Sequence, residues 1–175
     1  YYGEFTDYKY DQCDDWIKKN VLRNTLMDDW ATSQSYYQAD YHVGEKRHIK
    51  SSLHNWLNQF DEVELVSDVC HYDMVLFADI FGGALCLPKN VCPCCYDINQ
   101  DIVRIFGVPM KEAFDMSRED ILVALYVRAV EGDKHNALHD AKVIRELYKA
   151  LQNSEQKLDE DCDEENNTDI AKTVL

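Results

Sequence analysis

The segment that most constrains the fold of this chain is its last strongly periodic stretch, residues 137–151. Apolar residues recur there at steps of three and four, namely Leu138, Ala141, Ile144, Leu147, Tyr148 and Leu151. This period predicts an amphipathic helix with one face packed on the rest of the chain. Asp140 then lies on the first turn of that helix, and His135 lies in the loop just before it.

His135 and Asp140 have the chemistry of a hydrolytic site. A carboxylate can hold a metal ion, and a neighbouring imidazole can take a proton from water. A histidine near a helix start is also commonly a solvated or capping residue, and an aspartate in a first turn suits the helix dipole without any catalysis. Residues 135–141 alone therefore leave both interpretations open.

A second carboxylate, Asp73, falls at another junction between predicted elements. Residues 63–69 have the apolar character of a strand, and residues 74–81 that of a helix that Gly82 and Gly83 should end. Ligands of α/β sheets collect beyond the carboxyl ends of the strands, which favours a functional Asp73. Taken alone, Asp73 is better interpreted as an ordinary residue at the start of a helix.

The remaining pattern predicts an α/β fold in which strands are followed by helices. Alternation predicts a strand over residues 1–8, and no clear period is seen over 28–44, which we expect to be a loop. Helical spacing predicts helices over 49–60 and 98–106, the latter ending at Gly107. Ser117 opens a further helix, which we expect to close at Gly132.

Together these stretches resemble the DEDDh family of 3′–5′ exonucleases. The family's third motif, H-x-A-L-x-D, is matched by His135, Ala137, Leu138 and Asp140, and its second-motif aspartate by Asp73. The likeness is closest to a small bacterial and phage branch described as 3′–5′ exoribonucleases. In that branch the segments corresponding to residues 2–7, 16–17, 65–77, 96–98 and the final motif recur in this order. The resemblance covers residues 1–151.

The resemblance implies a ribonuclease H-like fold, with a mixed central sheet flanked by helices. It also implies two Mg²⁺ or Mn²⁺ ions, with Asp73 and Asp140 as metal ligands and His135 as the general base. The family's first motif, D-x-E, is not present, since Glu4 and Asp7 have the wrong order and spacing. We therefore expect the first strand of the fold to precede Tyr1, and the activity of residues 1–175 by themselves to be low.

Charge and cysteine content limit the partners. The net charge of −15 argues against broad tracking of phosphates, which depends on lysine and arginine. Residues 152–175 hold eight acidic residues and two lysines, a net −6 that leaves −9 for residues 1–151. We expect this tail to be disordered or loosely helical. Cys92 and Cys95 have the spacing of a zinc pair without a second pair, so free thiols in a reducing cytoplasm are favoured.

The resemblance thus implies a 3′–5′ exonuclease that acts on single-stranded RNA or DNA 3′ ends, with RNA favoured, and the free thiols favour a cytoplasmic location. No run approaches the roughly 18 to 20 apolar residues of a membrane span. The resemblance also makes a homodimer an expectation. Two alternatives stay open: a catalytically inactive nuclease fold kept for binding or assembly, and a small α/β hydrolase that uses Cys70 or a zinc-bound cysteine cluster.

Overall fold

The computed structural model describes residues 1–25, 41–132 and 134–172, with residues 155–172 described by their backbone alone. The described chain is a mixed α/β structure with four strands and seven α-helices. The strands are β1 (Tyr2–Phe5), β2 (Tyr41–Gly44), β3 (Val63–Ser67) and β4 (Val91–Asp97). The helices are α1 (Asp15–Asn20), α2 (Lys46–Leu57), α3 (Cys70–Phe81), α4 (Asn99–Phe106), α5 (Met110–Asp115), α6 (Arg118–Ala124) and α7 (Ala137–Lys172).

The described strands form two parallel pairs rather than one sheet. β1 pairs with β2, and β3 pairs with β4. Parallel neighbours need a crossover connection, and α3 supplies it between β3 and β4. This confirms the α/β class, whereas the predicted single mixed sheet is not what the described residues form.

Two clusters of buried side chains hold these elements together. The larger cluster joins α4, α5, α6 and α7. Its members are Ile98, Ile102, Ala113, Ile121, Leu122, Val143, Leu147 and Leu151. The smaller cluster joins α2, α3 and β4 through Leu53, Leu57, Phe81 and Val91. The periodic face of α7 therefore packs against three other helices.

Several predicted boundaries are confirmed, because their signals are local. Gly82 (φ 102°) and Gly107 (φ 65°) adopt the left-handed conformation that ends α3 and α4. The Ser117 side chain accepts a hydrogen bond from the backbone N–H of Asp120, which caps α6. Helix α7 begins at Ala137, directly after the histidine loop.

Other predictions from the sequence were wrong. The loop expected over residues 28–44 contains β2 at its end, while residues 28–40 lie outside the described chain. All four residues of β2 are half-buried, so the strand has no inside–outside alternation to reveal it. Helix α6 ends at Ala124 rather than near Gly132, because Tyr126 (φ 59°) takes the left-handed conformation.

The described part of the acidic tail is helical. The backbone of residues 152–172 continues α7, and the boundary at residue 151 stays a prediction. Within the described ranges, no helix combines the length and the apolar character that a membrane crossing requires.

Candidate active site

The Asp73 carboxylate is held at the end of β3 by a buried serine. Asp73 lies on the first turn of α3 and is exposed. Ser67, the last residue of β3, donates a hydrogen bond from Oγ to Oδ2 of Asp73. The same Oγ accepts the backbone N–H of Val69 at 3.1 Å, and Ser67 is 4% exposed. Because Ser67 is fixed on both sides, it sets the orientation of the Asp73 side chain.

The start of α7 carries the other two predicted residues. Asn136 caps the helix, since its Oδ1 accepts the backbone N–H groups of Leu138 and His139 at 3.1 and 3.2 Å. Asp140 follows on the first turn and is half-buried. His135 precedes the cap, is exposed, and has a positive φ of 68°.

Asp73, His135 and Asp140 line one cavity of about 570 Å³, which we call the carboxylate cleft. Asp73 and Asp140 also both line an adjacent cavity of about 390 Å³. The three side chains come from α3, from the loop before α7 and from α7 itself. The structure therefore brings the three residues selected from the sequence to one place.

A further acidic residue, Asp68, also lines the carboxylate cleft and was missed in the sequence. Its Oδ1 accepts a hydrogen bond from Nε of Arg118 at 2.6 Å. Burial raises the pKa of Asp68 from its ordinary 3.8, Arg118 opposes the shift, and the charges of Asp73 and Asp97 add to it. Its position just after β3 was the available signal, since ligand-binding groups follow the ends of strands.

Arg118 also anchors the loop between β3 and α3 to the helical part of the molecule. The residue is 9% exposed, and its Nη2 donates to Oδ1 of Asn99 at 2.8 Å. Nδ2 of Asn99 donates to Oδ1 of Asp97 at 2.8 Å, and Oδ2 of Asp97 accepts the backbone N–H of Cys70 at 3.3 Å. This chain of hydrogen bonds ties the first residue of α3 to α4 and α6, and so fixes the base of the helix that carries Asp73.

The thiols near the cleft are poorly suited to nucleophilic chemistry. Cys95 lines the cavity shared by Asp73 and Asp140. Burial, with the nearby Cys70, Asp73 and Asp97, raises the pKa of Cys95 to about 11. Burial and Asp97 likewise raise the pKa of Cys70. Because the thiolate is the nucleophile, both groups are largely protonated and unreactive at neutral pH, which disfavours a hydrolase that uses Cys70.

The donor atoms of the cleft are those that a hard cation prefers. Carboxylate oxygens suit Mg²⁺ and Mn²⁺, and Asp68, Asp73 and Asp140 supply them. Across residues 1–25, 41–132 and 134–154, whose side chains the structure describes, no three His, Cys, Asp or Glu side chains are grouped closely enough to hold an ion. The chemistry of the donors thus fits the expected metal, while these described residues do not by themselves form a complete set of ligands.

His135 also lines a second, larger cavity. We call it the β1 pocket; its volume is about 680 Å³, and its lining includes β1, Tyr10, Lys18, Arg23 and His135. The Trp16 ring meets the His135 ring edge-on, with centroids 5.3 Å apart. His135 therefore lies between an acidic cleft and a pocket that carries basic and aromatic side chains.

Comparison with protein-family models and with curated proteins finds no match to this sequence. The likeness to DEDDh exonucleases accordingly depends on the motif residues themselves. The geometry of the carboxylate cleft is an independent observation about the same residues.

Proposed function

We propose that the protein is a metal-dependent 3′–5′ exonuclease of ribonuclease H-like type that hydrolyses single-stranded nucleic acid, with RNA favoured. One observation carries the proposal: Asp73, His135 and Asp140, selected from separate parts of the sequence, line one cleft. A carboxylate pair beside an accessible imidazole is a combination suited to hydrolysis.

Asp73 and Asp140 have the role of metal ligands in this proposal. Divalent cations, when bound, neutralise charge on the phosphodiester and make water a better nucleophile. Ser67 orients the Asp73 carboxylate through its hydrogen bond, and α7 holds Asp140 on its first turn. His135 is the general base, because an imidazole can accept a proton at neutral pH and its exposed position gives water access.

The charge of the cleft supports the requirement for metal. Of the two cations that line it, Arg118 is paired with Asp68, and Nζ of Lys134 lies 3.3 Å from Glu119. Both positive charges are thus already compensated, and the carboxylates repel a phosphodiester unless cations intervene. This excess of negative charge in the cleft favours a short single-stranded end over a long duplex as the substrate.

The test is digestion of a short single-stranded RNA by the full-length protein. With Mg²⁺ or Mn²⁺, a 5′-labelled RNA should shorten into a ladder, while a 3′-labelled RNA should release its label at once as a mononucleotide. Asp73→Asn and Asp140→Asn should lose this activity and regain part of it at higher metal concentration. Asp120→Asn is the control, because Asp120 is exposed and does not line the cleft.

Digestion of DNA in parallel decides the preference for RNA. A pure protein that binds the RNA without shortening it, at any metal concentration, would refute the proposal. That result would favour the alternative of a nuclease fold kept for binding or assembly.

A further inference from the structure

We propose that Asn24 is a positioning residue that fixes His135 between the carboxylate cleft and the β1 pocket. The inference rests on the proposed function, since it concerns the placement of the proposed base. Asn24 lies at the end of a short 3₁₀ helix, Leu22–Asn24, that follows α1. It is more than a hundred residues away from His135 in the sequence.

Two hydrogen bonds join Asn24 to the residues on either side of His135. Nδ2 of Asn24 donates to the backbone carbonyl of Lys134 at 2.9 Å. In the other direction, Nδ2 of Asn136 donates to the backbone carbonyl of Asn24 at 2.6 Å. Asn24 therefore holds both neighbours of the histidine, which leaves the His135 backbone little freedom. We call these two hydrogen bonds the Asn24 clamp.

The Asn24 clamp accounts for the unusual backbone conformation of His135. A positive φ is uncommon for a residue other than glycine and persists only where the surroundings impose it. His135 has a φ of 68°. Since the side chain is exposed, core packing does not impose this conformation, and the hydrogen bonds to residues 134 and 136 are the contacts that do.

Asn24 is itself fixed by a further hydrogen bond, so it can hold the histidine loop in one position. Its Nδ2 also donates to the backbone carbonyl of Asn20 at the end of α1, at 2.8 Å. Helix α1 carries Trp16, whose ring meets the His135 ring edge-on. The same segment thus fixes the backbone of the histidine loop through Asn24 and contacts the imidazole through Trp16.

Asn136 couples this clamp to the rest of the site. Its Oδ1 caps α7, the helix that carries Asp140, while its Nδ2 bonds to Asn24. The substitution Asn136→Asp separates these roles, because a carboxylate keeps the capping oxygen and loses the donor. The distance between His135 and Asp140 therefore depends on a side chain that both caps the helix and holds the loop.

The decisive readout is the contact between the rings of Trp16 and His135, followed by NMR as cross-relaxation between their protons. The contact should be present in the wild type, and Asn24→Ala and Asn136→Asp should abolish it while melting temperature shows that the protein stays folded. Asn20→Ala is the matched control; among the residues that the structure describes, its side chain donates only to the Trp16 carbonyl, so the contact should persist. In the RNA assay, Asn24→Ala should lower kcat by up to about 10²-fold and leave KM nearly unchanged, the pattern of a misplaced catalytic group.

The outcomes separate this inference from the proposed function. If Asn24→Ala keeps the ring contact, or loses it without a change in kcat, the inference is overturned and the nuclease proposal stands. If the wild type digests no RNA, the proposed function fails, and a retained ring contact in Asn24→Ala would then overturn the clamp as well. Loss of the contact together with a lower kcat supports both.

Discussion

Replacement of Arg118 by methionine tests whether this residue anchors the loop between β3 and α3. The guanidinium donates to Asp68, to Asn99, and to the backbone carbonyls of Ala113 and Met116 at 2.7 and 3.0 Å. Methionine keeps the apolar stem and removes every donor. The oxygens of Ala113 and Asn99 belong to residues that are 0% and 3% exposed, so they have little access to water.

The cost can be estimated from these contacts. Loss of one partner from a buried charged network typically costs about 3–5 kcal/mol. The Asp68 side chain is 32% exposed and regains some hydration, so the lower end, about 3 kcal/mol, is expected. For a chain of this size each kcal/mol lowers the melting temperature by roughly 2–4 °C, which gives a fall of about 6–12 °C.

Urea unfolding followed by circular dichroism measures this difference. Arg128→Met is the matched control, because Arg128 and its partner Glu131 are 90% and 91% exposed in their side chains. The control should stay within about 0.5 kcal/mol of the wild type. A loss below about 1 kcal/mol for Arg118→Met would refute the view that this residue anchors the loop between β3 and α3.

Three further outcomes follow from the same structure. Without Arg118 the pKa of Asp68 should rise further, so the folded state of Arg118→Met binds the Asp68 proton more tightly than the unfolded state does. The stabilisation that this proton gives to the folded state is complete below pH 3.8 and is lost as pH rises through the folded pKa. The loss of unfolding free energy in Arg118→Met, measured against the wild type in urea, should therefore grow from acid towards neutral pH. Leu147→Ala should cost about 2–5 kcal/mol in the same assay, since Leu147 is 0% exposed, whereas Leu85→Ala, at a fully exposed position, should be near neutral; equal losses would contradict the assigned core. Gly132→Ala should lower the melting temperature, because Gly132 has a φ of 141° and an added Cβ would lie 2.5 Å from Nδ1 of His139; an unchanged or higher melting temperature would contradict the described loop.

The sequence predicted those features whose signals lie within a few residues of each other. The period of residues 138–151 and the glycines at 82 and 107 identify α7 and the ends of α3 and α4, because helix periodicity and left-handed caps are local properties. The positions of Asp73 and Asp140 at the starts of helices were predictable for the same reason, as each lies on the first turn of a helix.

Features that depend on distant partners were not predicted. The strand β4 was hidden by Pro93, which has no N–H for a sheet and interrupts the run of cysteines. Helix α5 was also missed. The pairing of Asp68 with Arg118, and of Asn24 with the histidine loop, joins residues far apart in the chain. No local period records such contacts, so only the folded chain reveals them.

The central claim is that His135 acts as a base beside the carboxylates of the cleft. Its most direct test is the single-turnover rate of RNA hydrolysis by His135→Ala, in the full-length protein and at saturating Mn²⁺. The rate should fall by about 10²–10⁴-fold, with melting temperature and metal affinity nearly unchanged, because an exposed loop histidine contributes little to packing. His54→Ala, on α2 and outside the cleft, should keep the wild-type rate. A wild-type rate for His135→Ala would contradict the account, since the imidazole would then not be the base.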